Sequence, residues 1–141
     1  MSDPLSLLPH QPPMRLIDEV VHLEPGVSAT SRRTTRVGDF FFQGHFPGTP
    51  VVPAVVLVEL LAQTGGLAAG TRASVGQPPK GMRVAALGPW KFPAGCGVGV
   101  TLEASARVVG QLGRLWKIEG EVTADGMRVA AGSLTLAEVD G

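Results

Sequence analysis

Pro53-Ala54-Val55-Val56-Leu57-Val58-Glu59-Leu60-Leu61-Ala62-Gln63-Thr64-Gly65-Gly66-Leu67-Ala68-Ala69 decides how this chain folds. Apolar residues fall on nearly every face of a helix built from it, so that helix should be buried all round. Proline suits the first helical position, which places the start near Pro53. A membrane span needs about 20 apolar residues in a row. Pro47, Pro50 and Pro53 break the chain ahead of the block, and Gly65 and Gly66 interrupt it. A buried helix is therefore the better reading, preceded by a loop from Phe42 to Val52.

Outward from the helix the period changes. Val100, Leu102, Ala104, Ala106 and Val108 alternate with Thr101, Glu103, Ser105 and Arg107, the mark of a half-buried strand. Trp116, Ile118 and Val122 keep that period. Asp125-Gly126 signals a hairpin, and Met127 to Val139 reads as the last strand. Upstream, Val27 to Thr35 reads as a strand that follows a Pro25-Gly26 turn. Met82 to Leu87 reads as a short strand. Leu16 to Val21 is ambiguous between a helical turn and a strand. Residues 1–13 hold Pro4, Pro9, Pro12 and Pro13 and suit an extended lead-in. The fold class is α+β, with an antiparallel β-sheet wrapped around one long buried central helix, because each strand needs one apolar face and the helix needs cover. Nothing marks a linker or a repeat, so residues 1–141 read as a single domain.

Composition narrows the function classes. With 44% hydrophobic and 17% charged residues the chain is too apolar for disorder. Twelve basic and twelve acidic residues cancel, so no global field favours nucleic acid or an anionic membrane as partner. One cysteine, Cys96, excludes an intramolecular disulfide framework. No cofactor and no metal is expected. The opening MSDPLSLLPH has neither a basic n-region nor a long apolar run, so a reduced, cytoplasmic setting is the expectation.

Chemistry concentrates in one stretch. From Phe40 to Thr71 the only formal charge is Glu59, and the only histidine is His45. Burying an unpaired carboxylate costs several kcal/mol, so Glu59 must find a partner or stay protonated. A structural ion pair would need a Lys or Arg from elsewhere in the fold. A protonated carboxyl group near a histidine is, alternatively, what acid–base catalysis requires. His10 and His22 read as structural or surface residues. Arg32, Arg33 and Arg36 read as a solvated strand end, with a local basic patch for an acidic partner as the weaker alternative.

Three segments resemble the FabZ/FabA-like hot-dog family of 3-hydroxyacyl-[acyl-carrier-protein] dehydratases. The first is Leu8-Pro9-His10 running on to Leu16-Ile17-Asp18. The second and most specific is Phe41-Phe42-Gln43-Gly44-His45-Phe46-Pro47-Gly48, followed by Pro50 and Pro53. The third is Glu59 with Ala62-Gln63. The resemblance implies a hot-dog fold and catalysis by His45 as general base and Glu59 as general acid, fourteen positions apart. It implies substrate contacts at Ala54, Gly48, Gly44, Phe46, Pro53 and Gln63, the glycines allowing close backbone approach. The backbone N–H of Ala54, where the family usually has Gly, would hold the thioester carbonyl. The substrate implied is a 3-hydroxyacyl thioester on acyl carrier protein. The assembly implied is a homodimer with active sites at the interface, three of which would make a hexamer. The acid is Glu rather than Asp, which points to dehydration without double-bond isomerisation. Trp90-Lys91-Phe92-Pro93 is similar to a further family segment, but Phe92 stands where a basic residue is usual. Two alternatives stand beside this reading: a hot-dog acyl-thioester hydrolase, and a non-catalytic acyl- or carrier-protein-binding module.

Overall fold

The computed structural model describes residue 10 and residues 13–44, 48–73 and 81–139. Among the described residues it has strands β1 (Glu19–Glu24), β2 (Ser28–Thr34), β3 (Met82–Lys91), β4 (Thr101–Leu112), β5 (Leu115–Ala124) and β6 (Met127–Glu138). Helix α1 (Ala54–Ala73) and a 3-10 turn (Phe40–Phe42) lie between β2 and β3. The strands form one antiparallel sheet in the order β1-β2-β4-β5-β6-β3. A helix cradled by one such sheet is the hot-dog arrangement.

Alternation built the centre of this sheet. Leu102, Ala104 and Ala106 on β4, Trp116, Ile118 and Val122 on β5, and Leu134 and Leu136 on β6 are all buried. Each large one contributes roughly 1.5–3 kcal/mol of burial. The expected Asp125-Gly126 hairpin is present, with φ of 49° and 87°, the paired left-handed conformations a two-residue turn needs.

Two glycines let the helix settle onto the sheet. A Cβ on Gly65 of α1 would lie 2.8 Å from Ile118 Cγ2, and one on Gly120 of β5 would lie 2.9 Å from Leu61 Cδ1. The buried hydroxyls in this interface satisfy each other. Thr64 Oγ1 donates to the Leu60 carbonyl (2.8 Å) and lies 2.6 Å from Ser31 Oγ, which is left to donate to it.

Two expectations need correction. The helix is not buried all round: Ala54 is exposed, Val55 is 74% exposed, and Val58 and Glu59 are half-buried. A single sheet can cover only one side of a cylinder, and among the described residues nothing covers the other side of the first two turns. The strand expected at Met82–Leu87 runs on to Lys91, through Gly88 and Pro89. Those residues punctuate a central strand, but β3 is an edge strand, where Pro is tolerated. Its register with β6 shifts between Leu87 and Trp90 to absorb them. The ambiguous segment resolves as Leu16 and Ile17 in the core, followed by β1.

Candidate active site

Arg33 and Asp39 anchor the loop that leads to the site. The Arg33 guanidinium donates to Asp39 Oδ1 (2.6 Å) and to the Leu16 carbonyl (3.1 Å), and both charged side chains are only 11% exposed. Asp39 Oδ2 also accepts the Arg36 N–H at 2.7 Å. This pair holds the 3-10 turn, whose Phe41 lies 5.5 Å under the Arg33 guanidinium and whose Phe41 and Phe42 are buried. Charge pairing also removes the basic-patch reading. Arg32 bonds Glu103 (2.9 Å) and lies 3.6 Å from Glu19, and Arg36 bonds Asp18 (3.1 Å). The hydrogen bond and charge of Glu103 push the Arg32 guanidinium's pKa up.

Downstream of the turn, Gly44 and Gly48 have φ of 76° and 79°, a region that favours glycine. Among the described residues nothing lies within 4 Å of a Cβ built on either, so it is the positive φ that calls for glycine at both positions. His45, Phe46 and Pro47 between them lie outside the described residues. Phe42, Gly48 and Pro50 line a cleft of about 250 Å³ with Val37, Gly38, Asp39 and Gln43. The loop then enters α1. The Val52 N–H donates to the Cys96 carbonyl (2.9 Å), and the Pro53 carbonyl accepts the first helical bond from Val56 (3.0 Å). Pro53 thus stands just before α1, and Ala54 is its first residue, exposed to solvent. A helix's first N–H groups have no intrahelical acceptor, so that of Ala54 is available to a ligand.

Glu59 stands on the second turn of α1. Its carboxylate is not the buried, isolated group expected: the side chain is 33% exposed, because the open side of the helix runs past it. Nor does a Lys or Arg among the described residues pair with it. Its Oε1 accepts from Gln63 Nε2 at 3.1 Å and lies 3.7 Å from His10 Nε2. Gln63, 1% exposed, is committed on both ends. Its Oε1 accepts the Leu16 N–H (2.9 Å), and its Nε2 donates to the Met14 carbonyl (2.7 Å) as well as to Glu59. His10, read from the sequence as a structural or surface residue, proves to be a neighbour of the one acid on the helix. The only signal for it was its place in Leu8-Pro9-His10.

The chain matches the model of the FabA-like domain over residues 8–133. It is 35% identical to a 3-hydroxyacyl-[acyl-carrier-protein] dehydratase FabZ of Myxococcus xanthus, over 96% of this chain and 89% of that protein. A protein of the same name from Herpetosiphon aurantiacus is 34% identical over 99% of this chain and 98% of its own length. Among solved structures, the dehydratase heterocomplex ApeI:P from Xenorhabdus doucetiae superposes with a TM-score of 0.81 at 18% identity, over 99% of this chain and 93% of that one. An uncharacterized protein from Pyrococcus horikoshii gives 0.72 at 14%, over 96% and 93%. These structural likenesses carry the fold alone. Among the described residues no helix is long and apolar enough to cross a membrane.

Proposed function

As a member of the FabA-like family, this chain is a dehydratase of 3-hydroxyacyl thioesters in fatty-acid biosynthesis, and we propose that His45 is its general base and Glu59 its general acid. The carrying observation is the Glu59 carboxylate. It is the only formal charge of α1 before Arg72, and it sits on the helix's open side with one oxygen held by Gln63. Its Oε2 has neither a hydrogen-bond partner nor a Lys or Arg counter-charge among the described residues.

Dehydration needs two proton transfers. His45 takes the Cα proton, which an imidazole near neutrality can do. The electron pair moves into the Cα–Cβ bond, by way of negative charge on the thioester oxygen. The Ala54 N–H and the dipole of α1 stabilise that charge. The Cβ–O bond breaks as Glu59 donates its proton, so hydroxide leaves as water and a trans-2-enoyl thioester remains. Proton exchange with solvent then restores neutral His45 and protonated Glu59. Gly44, Phe46, Gly48 and Pro53 shape the substrate's path between the His45 loop and the helix start. Because the acid is Glu, the reaction ends at the 2-enoyl product without isomerisation.

The substrate reaches the site on acyl carrier protein, and the enzyme works in the cytoplasm without a cofactor. Its assembly is a homodimer in which His45 of one chain faces Glu59 of the other, with a trimer of such dimers as the larger alternative. The outer edge of β3 supports this reading: among the described residues it is unpaired, and it exposes Val84 and Leu87. The exposed Val55 on α1 is a second uncovered apolar surface. Incubation with a 3-hydroxyacyl thioester tests the function. The enoyl thioester is the expected product. Free acid would make the protein a hydrolase, and binding without turnover would make it a carrier-binding module.

A further inference from the structure

We infer that His10 is a positioning residue for Glu59, and that His10 and Gln63 together place the acid's proton on Oε2. The inference rests on the reading of Glu59 as the acid. It begins with Gln63, whose amide has no freedom left. The Leu16 N–H fixes which atom is oxygen, and the Met14 carbonyl fixes which is nitrogen. The second Nε2 hydrogen therefore points at Glu59 Oε1, and Gln63 can only donate to it.

His10 completes the arrangement. Its Nδ1 is buried and has no hydrogen-bond partner among the described residues, while its Nε2 faces Glu59 Oε1 at 3.7 Å. A proton on Nδ1 would be a buried donor with no acceptor, whereas a proton on Nε2 points at a carboxyl oxygen. The neutral ring thus carries its proton on Nε2. At 3.7 Å the contact is longer than a hydrogen bond, and a small turn of the ring closes it; such contacts tighten when substrate is bound.

Both neighbours then present donors to one oxygen. A protonated carboxyl group has one oxygen that accepts and one that carries hydrogen. With donors on Oε1, the hydrogen must sit on Oε2, the oxygen left for the departing hydroxyl. His10, Met14 and Leu16 all precede β1 in the chain, so these three residues serve as a socket for the second turn of α1.

Kinetics on a small 3-hydroxyacyl thioester test this with five proteins: wild type, His10→Phe, His10→Gln, Glu59→Gln, and His10→Phe combined with Glu59→Gln. His10→Phe keeps a ring but removes both nitrogens. It should lower kcat by about ten- to a hundredfold, the scale at which misplacing a catalytic group is felt, with KM changed less than about twofold. Its melting temperature should hold or rise, because an unpartnered buried nitrogen is replaced by carbon. His10→Gln carries an N–H of similar reach and should recover most of kcat. In the Glu59→Gln background, His10→Phe should cost nothing further, because a positioning residue acts only through the group it positions. An unchanged kcat in His10→Phe overturns the inference. So does an equal loss in both backgrounds, or a loss of kcat that tracks a fall in melting temperature. If His10→Phe does not fold, His10→Leu takes its place in the same comparison. Full activity in Glu59→Gln alone would overturn the acid assignment itself, a result distinct from a silent His10.

Discussion

The two sides of α1 are opposite in character. Towards the sheet, Leu57, Leu60, Leu61 and Leu67 are buried, Thr64 shares its hydroxyl with Ser31, and Gly65 meets Ile118. Away from it, Ala54 and Val55 are exposed, and Val58 and Glu59 are half-buried. The first side is finished: packing is close and polar groups are satisfied. The second side is unfinished: among the described residues one Glu59 oxygen has no partner, and Val55 stands in water. A surface of that kind costs stability in a lone chain, and its retention is explained by what it is used for.

The sharpest way to break the comparison is to remove chemistry without touching packing. His45→Ala should lower dehydration by about 10²–10⁴, the usual cost of losing a general base. Its thermal melt should be nearly unchanged. Glu59→Gln should lower it by about a hundredfold or more, because an amide cannot give a proton to departing hydroxide. Its melting temperature should hold or rise. Turnover and melting measured on the same preparation decide the point; stability lost with activity kept would make Glu59 a structural residue.

The converse change falls on the finished side. Leu61→Ala should cost about 2–5 kcal/mol, since it opens a cavity over Gly120 where the sheet has no side chain to collapse into it. Urea denaturation should show the midpoint falling while kcat per folded molecule stays near the wild-type value.

Association addresses a second uncovered surface, the outer edge of β3. Leu87→Lys together with Val84→Lys places charge on the free edge of β3 and should block self-pairing there. Sedimentation should then give a smaller species than the wild type, with activity lost in proportion if the site is shared between chains. An unchanged sedimentation coefficient would move the interface elsewhere.

The smallest effect concerns the loop that steadies the helix start. Burial pushes the Cys96 thiol pKa up, and the Asp125 carboxylate adds to it. The folded state therefore holds the thiol proton to higher pH than the unfolded state does. Its contribution to stability is complete below the unfolded thiol's range and is lost as pH rises through the folded value. Melting temperature should fall slightly from about pH 8.5 upward, and Cys96→Ala should make that fall shallower.

Much of this is legible in the sequence. The alternation along Leu102–Val108 and Trp116–Val122 and the turn at Asp125-Gly126 required an antiparallel sheet. The apolar block after Pro53 required a helix against it. What could not be read had particular causes. Gly88-Pro89 concealed the second half of β3, because edge and central strands obey different rules and edge position is a property of the whole sheet. The Arg32, Arg33 and Arg36 cluster read as a solvated strand end because the counter-charges Asp18, Glu19 and Glu103 come from other segments, and Asp39, only three residues past Arg36, is brought back onto Arg33 by the turn between them. His10 looked incidental because Glu59 lies 49 residues away along the chain.

Local physics is carried by neighbours in sequence, so residue order alone determined that the block after Pro53 curls, that the stretches on either side of Asp125-Gly126 extend, and that one carboxylate would stand on an apolar helix. Exposure and partnership belong to segments brought together by folding. Only the tertiary structure decided that the helix keeps one side open among the described residues, that Glu59 meets Met14 and Leu16 through Gln63, and that its second oxygen has no partner among those residues. The reason is geometric: a sheet of these strands is wide enough to bury half a helix, and which half is set by where Gly65 and Gly120 let the two surfaces meet.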